Sequence, residues 1–170
     1  MDYTNGALAR AIASQSDMLL TTNFRLSELI YTSHKDVDNW PKDPVVINKL
    51  RYLCVHILEK VRTNFQSRPV IVNSGYRSEP LNKRIGGSTS SQHMKGEAVD
   101  FHINGIGNDS ICKWVMGNLV FDQLILEFHT KGVPNSGWVH CSLVPTGNRR
   151  QVLTASKRAG KTQYLSGLFL

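Results

Sequence analysis

Closely spaced cysteine pairs are missing from this chain: its thiols are Cys54, Cys112 and Cys141, an odd number set far apart. That excludes a zinc site closed by four thiolates and a dense disulfide framework. Their apolar neighbours make them buried free thiols, with one disulfide between two of them as the alternative. Long apolar runs are also missing. Val70-Ile71-Val72 and Leu124-Ile125-Leu126 fall far short of the roughly 20 residues that cross a bilayer. Neither GxGxxG nor GxxxxGK[ST] occurs, so Gly86-Gly87-Ser88-Thr89-Ser90 is not a phosphate cradle. Met1-Asp2-Tyr3 lacks the basic start and apolar core of a secretory leader, so the expected location as synthesised is cytoplasmic. Acids are absent from one end. From 146 to 170, Arg149, Arg150, Lys157, Arg158 and Lys161 stand without Asp or Glu and carry +5 of the net +7. Such a tail can contact an anionic polymer, or it can be a solvated end. No helix-turn-helix, zinc finger or aromatic RNA-binding motif joins it, so a nucleic-acid binder has no further support.

What is present fits one soluble domain of 170 residues with 41% hydrophobic content. A polar leader at 1–17, at most a loose helix, precedes a domain at 18–145 and the basic tail at 146–170. Phe24 to Tyr31 reads as a short helix capped by Ser27, with Glu28 in its first turn. The clearest helix runs from Pro44 to about Phe65, with Asp43 as its cap. Leu50, Leu53, Cys54, Ile57, Leu58, Val61 and Phe65 form one apolar stripe along it, which leaves His56 at the surface. Residues 69–73 read as a strand followed by a long loop. Ala98 to Ile103 is a strand with Val99, Phe101 and Ile103 inward and Asp100 and His102 on the other face. A helix capped by Asn108-Asp109 runs to about Asn118. Phe121 to Phe128 and Trp138 to Val144 then pair as antiparallel strands across the 130–136 loop. This order predicts an α+β fold, with helices packed on a small, largely antiparallel sheet.

The chemistry concentrates in Ser91-Gln92-His93-Met94-Lys95-Gly96-Glu97-Ala98-Val99-Asp100 and in Gly137-Trp138-Val139-His140. Two imidazoles and a carboxylate give a borderline cation such as zinc three ligands and leave a fourth position open, as catalytic zinc sites do. Cys141 should point away from His140, because strand side chains alternate. His102 shares the face of Asp100, as a substitute ligand or a residue lining the cleft. His129 falls near the rim of the same region. A Ser91/His93/Asp100 hydrolase lacks the GxSxG elbow.

Ser-x-His-x-x-Gly-x-Ala-x-Asp, matched by Ser91, His93, Gly96, Ala98 and Asp100, resembles the zinc D-Ala-D-Ala peptidases. These include carboxypeptidases, dipeptidases and endolysins of the cell wall, and they share a fold with hedgehog signalling domains. Ser74-Gly75-Tyr76-Arg77 and Trp138-Val139-His140 match two further segments of that family, and the resemblance runs from about Phe24 to Leu143. It implies one catalytic zinc on His93, Asp100 and His140, acting on a peptide bond of peptidoglycan stem peptides or cross-links. It further implies Arg77 as an anchor for a substrate carboxylate or a steadying charge, with Ser91 and Tyr76 beside it. Several relatives carry the acidic base three residues before the last histidine, where this chain has Gly137. Glu127, alternating with Leu126 and Phe128, is the expected base instead. The expected setting is a phage endolysin or virion-associated hydrolase. The competing function is a zinc-containing binding or structural module without catalysis.

Overall fold

The apolar stripe of the long helix is buried in a computed structural model that describes residues 5–169. Leu50, Leu53, Cys54, Ile57, Leu58 and Val61 have no accessible surface, while His56 is exposed. The helix comes in two parts, α3 (Pro44–Leu53) and α4 (Glu59–Asn64), joined by a π-helical turn at Cys54–Leu58. The apolar spacing does not register that extra residue per turn, so the sequence reads as one unbroken helix. Asp43 caps it as expected, accepting the Val45 N–H at 2.8 Å.

Two compact units make up the chain, Met1–Val55 with Ser74–Val99 and His56–Asn73 with Asp100–Leu170. In the first, α1 (Asn5–Ser14) and α2 (Leu26–Leu29) pack on α3. The stretch expected as a polar leader thus holds a helix that buries Leu8; residues 1–4 of that stretch lie outside the described residues. Helix α2 is shorter than the Phe24 to Tyr31 stretch expected, and Ser27 lies inside it rather than at its cap. Its cap is Arg25, whose N–H donates to the Glu28 carboxylate at 2.7 Å. Ser27 instead turns its N–H and hydroxyl to Asp17 at 2.9 and 3.0 Å. Helix α5 (Glu79–Arg84) interrupts what the sequence presents as a long loop after β1 (Ile71–Ser74). Pro80 in its first turn favours the helix start, where a missing N–H is harmless.

The second unit carries α6 (Asn108–Asn118) and most of a six-stranded sheet. Its strands are β1, β2 (Ala98–His102), β3 (Gln123–Glu127), β4 (Trp138–Ser142), β5 (Gln151–Arg158) and β6 (Lys161–Ser166), in the spatial order β1-β2-β4-β3-β5-β6. The fold is α+β. Strands β3 and β4 pair antiparallel as expected, with Ile125 opposite His140 and Glu127 opposite Trp138. Helix α6 packs on both. Gly107 is its cap, and the Asn108 amide is drawn away to the Ser136 and Gly137 carbonyls at 3.0 and 3.1 Å.

The basic segment is no solvated tail. Strand β5 lies parallel to β3, with Ala155 beside Glu127, and β6 returns antiparallel to β5. Thr154 and Ala155 are buried. Buried Asp122 accepts the backbone and guanidinium of Arg149, and Arg150 donates to the Met116 and Leu119 carbonyls at the end of α6. A cation there offsets the negative end of the helix. Charge that looks free in the sequence is therefore partly spent inside the molecule.

Candidate metal centre

His93 is placed by hydrogen bonds within its own unit. Ser91 caps the single 3-10 turn Gln92–Lys95 by accepting the His93 N–H at 3.3 Å. Gly96 ends that turn at φ +70°, and a Cβ there would come within 2.8 Å of the Val46 carbonyl. Glycine meets both demands, which explains the fixed glycine of the motif. Glu97 pairs with Lys49 of α3 at 2.6 Å and ties the other side of the turn. The His93 Nδ1 lies 2.7 Å from the Gly75 carbonyl. A carbonyl only accepts, so Nδ1 carries the proton and Nε2 keeps its lone pair for a cation. The Arg77 N–H donates to the His93 carbonyl at 3.2 Å. Ser74-Gly75-Tyr76-Arg77 is thus a brace for the histidine as well as a carrier of Arg77.

That brace has a support which sequence patterns do not reveal. Buried Asn39 donates to the Ile30 and Tyr76 carbonyls at 2.8 and 3.0 Å and accepts the Ser78 N–H at 2.7 Å. An asparagine in an acid- and proline-rich loop reads as a solvated turn residue, so its role is invisible before folding. The Tyr76 phenol is raised above its ordinary pKa by burial and by Asp38 and Asp43. Arg77 is half-buried, and its Nε donates to Ser74 Oγ at 2.7 Å.

In the second unit, Asp100 of β2 and His140 of β4 are buried and joined, Nδ1 to Oδ1, at 2.8 Å. His102, the substitute ligand, instead lies against Asn73, Nδ1 to Oδ1, at 2.7 Å. His129 Nδ1 is 3.4 Å from Ser136 Oγ. The three cysteines are buried and unbridged, and burial pushes the Cys112 and Cys141 thiols well up.

One ligand atom from each of His93, Asp100 and His140 lies within 4.8 Å of the others, and all three residues are buried. Two imidazoles and one carboxylate suit zinc by donor type. The Asp100 carboxylate and the His140 ring nitrogen already face one another at 2.8 Å, and the donor set fits the ion the motif implies.

Glu127 ends β3 half-buried. Residues paired across strands share a face, and faces alternate along each strand. Glu127, Ile125, Trp138 and His140 therefore lie on one face of the sheet. The backbone turns sharply beside Glu127. Phe128 has φ +52° and packs its ring on Trp138 at 5.2 Å, and Gly137 has φ +66°. A Cβ on Gly137 would sit 1.8 Å from the Glu127 carbonyl oxygen. No side chain, acidic or otherwise, fits at 137 without moving the strand end.

The sequence model of the peptidase M15 family matches residues 22–142, most of the chain. A zinc D-Ala-D-Ala carboxypeptidase of Streptomyces albus G is 36% identical over 55 residues, which make up 32% of this chain and 20% of that relative. The aligned stretch thus spans about a fifth of the length of that curated relative.

Proposed function

This chain belongs to the peptidase M15 family, and on that premise we propose that it is a zinc peptidase cutting stem peptides or cross-links of peptidoglycan. The observation that carries the reading is the buried His93, Asp100 and His140 group, in which three donors of the right chemistry meet. These three residues hold the zinc. When bound, the ion supplies a Lewis acid that polarises the scissile carbonyl and lowers the pKa of water. Glu127, on the face that bears His140, takes the proton from the attacking water and delivers it to the departing amine. Arg77 anchors a substrate carboxylate through its planar guanidinium while Ser74 steadies its Nε. Ser91 holds the His93 turn, and its hydroxyl and Tyr76 border the substrate.

The activity of the Streptomyces albus G relative, as its name gives it, supports a bond involving D-alanine as the target. A phage endolysin or virion-associated setting is the narrower reading, resting on the motif resemblance alone. Contact with an anionic wall polymer falls to Arg158 and Lys161, since Arg149 and Arg150 have partners within the fold.

The test is incubation of the purified protein with peptidoglycan and mass analysis of the released peptides. Activity should vanish with a chelator and return with zinc. His93→Ala and His140→Ala should lose the metal, whereas Glu127→Gln should keep it and lose about a hundredfold in rate, the scale of general-base removal. A folded, zinc-loaded protein that releases nothing would instead support the non-catalytic module.

A further inference from the structure

The C-terminal hairpin lies outside the family match, yet it brings an aromatic residue to the face of the sheet that carries Glu127. Glu127 of β3 pairs with Ala155 of β5, and Ala155 pairs with Tyr164 of β6. The three form one row, and paired residues share a face. Adjacent strands are about 4.8 Å apart, so Tyr164 and Glu127 are separated by roughly two such spacings at the backbone. Between them in the row stands Ala155, whose side chain is a single methyl group. A tyrosine is long enough to reach over it, and a larger residue at 155 would block the way.

Electrostatics agrees with this direction. The Tyr164 phenol is raised above its ordinary pKa by burial first, then by the negative charges of Glu127 and Asp100. Asp100 belongs to β2, on the other side of β3 and β4 from the hairpin. The residue is 54% exposed, and no hydrogen bond holds its hydroxyl among the described residues. The phenol therefore presents a donor, open to an arriving molecule, on the face of the sheet that carries Glu127.

We propose that Tyr164 is a substrate-contacting residue, its hydroxyl donating a hydrogen bond to a carbonyl or carboxylate oxygen of the peptide beside the bond that Glu127 serves. This deepens the peptidase reading and rests on it. Glu127 repels an anionic oxygen, and a neutral donor next to it compensates that repulsion where substrate oxygens must lie. The hairpin is then part of the substrate surface.

The experiment uses the full chain, loaded with zinc, and soluble muropeptides released from peptidoglycan by a glycosidase. Tyr164→Phe keeps the ring over Ala155 and removes only the donor. The expected result is a fall of about tenfold or more in kcat/KM, the scale of one lost hydrogen bond to a charged or charge-developing oxygen. Zinc content and melting temperature should be unchanged. A loss in KM assigns the contact to bound substrate, and a loss in kcat assigns it to the transition state. Ala155→Leu, which fills the gap, should impair turnover with zinc retained. Tyr164→Phe within twofold of the parent in both constants overturns the inference while leaving the peptidase reading intact. A parent protein that cuts nothing sinks that reading, and this inference with it.

Discussion

Gly137→Ala is the perturbation whose outcome the geometry fixes most tightly. The glycine has φ +66°, which costs an L-residue about 1–2 kcal/mol. Its added Cβ would lie 1.8 Å from the Glu127 carbonyl oxygen. Relief requires the strand ends to part by more than an ångström, which weakens the pairing of Glu127 with Trp138. One or two backbone hydrogen bonds at about 1 kcal/mol each bring the total to roughly 2–4 kcal/mol. For a chain of this size that lowers the melting temperature by about 5–15 °C. The same movement displaces the Glu127 carboxylate, so turnover by the folded fraction should drop as well. Gly132→Ala is the matched control. Its φ is +78°, but nothing lies within 4 Å of the added Cβ. It should show only the conformational part of the loss and full turnover. Melting curves by circular dichroism and turnover per folded molecule give both quantities. Equal melting temperatures for the two variants, with Gly137→Ala fully active, would refute the close approach and the account of why the acid stands at 127.

Asn39→Ala strands three backbone partners in a partly buried setting and should cost about 2–4 kcal/mol, read as a shifted urea midpoint; a change below 1 kcal/mol would deny it the bracing role. Arg149→Ala leaves the Asp122 carboxylate buried without its guanidinium, so it should lower the melting temperature clearly more than Arg158→Ala, whose side chain is exposed. Asp17 gives an acid-pH prediction. Burial alone would raise its pKa, but hydrogen bonds from Arg25 and Ser27 outweigh it and hold the group below its ordinary value. Its contribution is therefore present above the unfolded carboxylate pKa and is lost as pH falls through the lower folded value. Asp17→Asn should remove that part of the pH dependence in melts recorded across the acid range, and an unchanged profile would contradict it.

Sequence patterns carried some levels of this molecule and not others. The stripe from Leu50 to Val61 repeats an apolar residue at each turn, so helix and buried face follow from spacing alone. The π-helical turn within it shifts hydrogen bonds but not polarity, and leaves no trace in the letters. The His93 motif was legible because ligand chemistry restricts residue type. Asn39 was not, because its value lies in three backbone atoms that only folding brings near. The hairpin was missed for a different reason. Its strands carry Lys, Arg, Gln, Ser and Thr, since β6 is an exposed edge, and five cations without acids read as solvated chain. Edge strands are commonly charged for this reason. Tyr164 is hidden with the segment that bears it.

The parallel pairing of β5 with β3 also bears on how the chain comes together during synthesis. Strands β3 and β4 both precede residues 151–158 in the chain, so a chain that ends before them keeps β3 without its parallel partner. Until they emerge, β3 presents an unpaired row of backbone donors and acceptors, flanked by the apolar side chains of Leu124, Ile125 and Leu126. A chain stalled or cut near Leu143 would hold every proposed zinc ligand and still expose an edge that recruits strands from its neighbours. Completion of the last hairpin is thus the step that covers the open edge of β3. A chain truncated before residue 151 should aggregate more readily than the full chain, as light scattering at matched concentration would show.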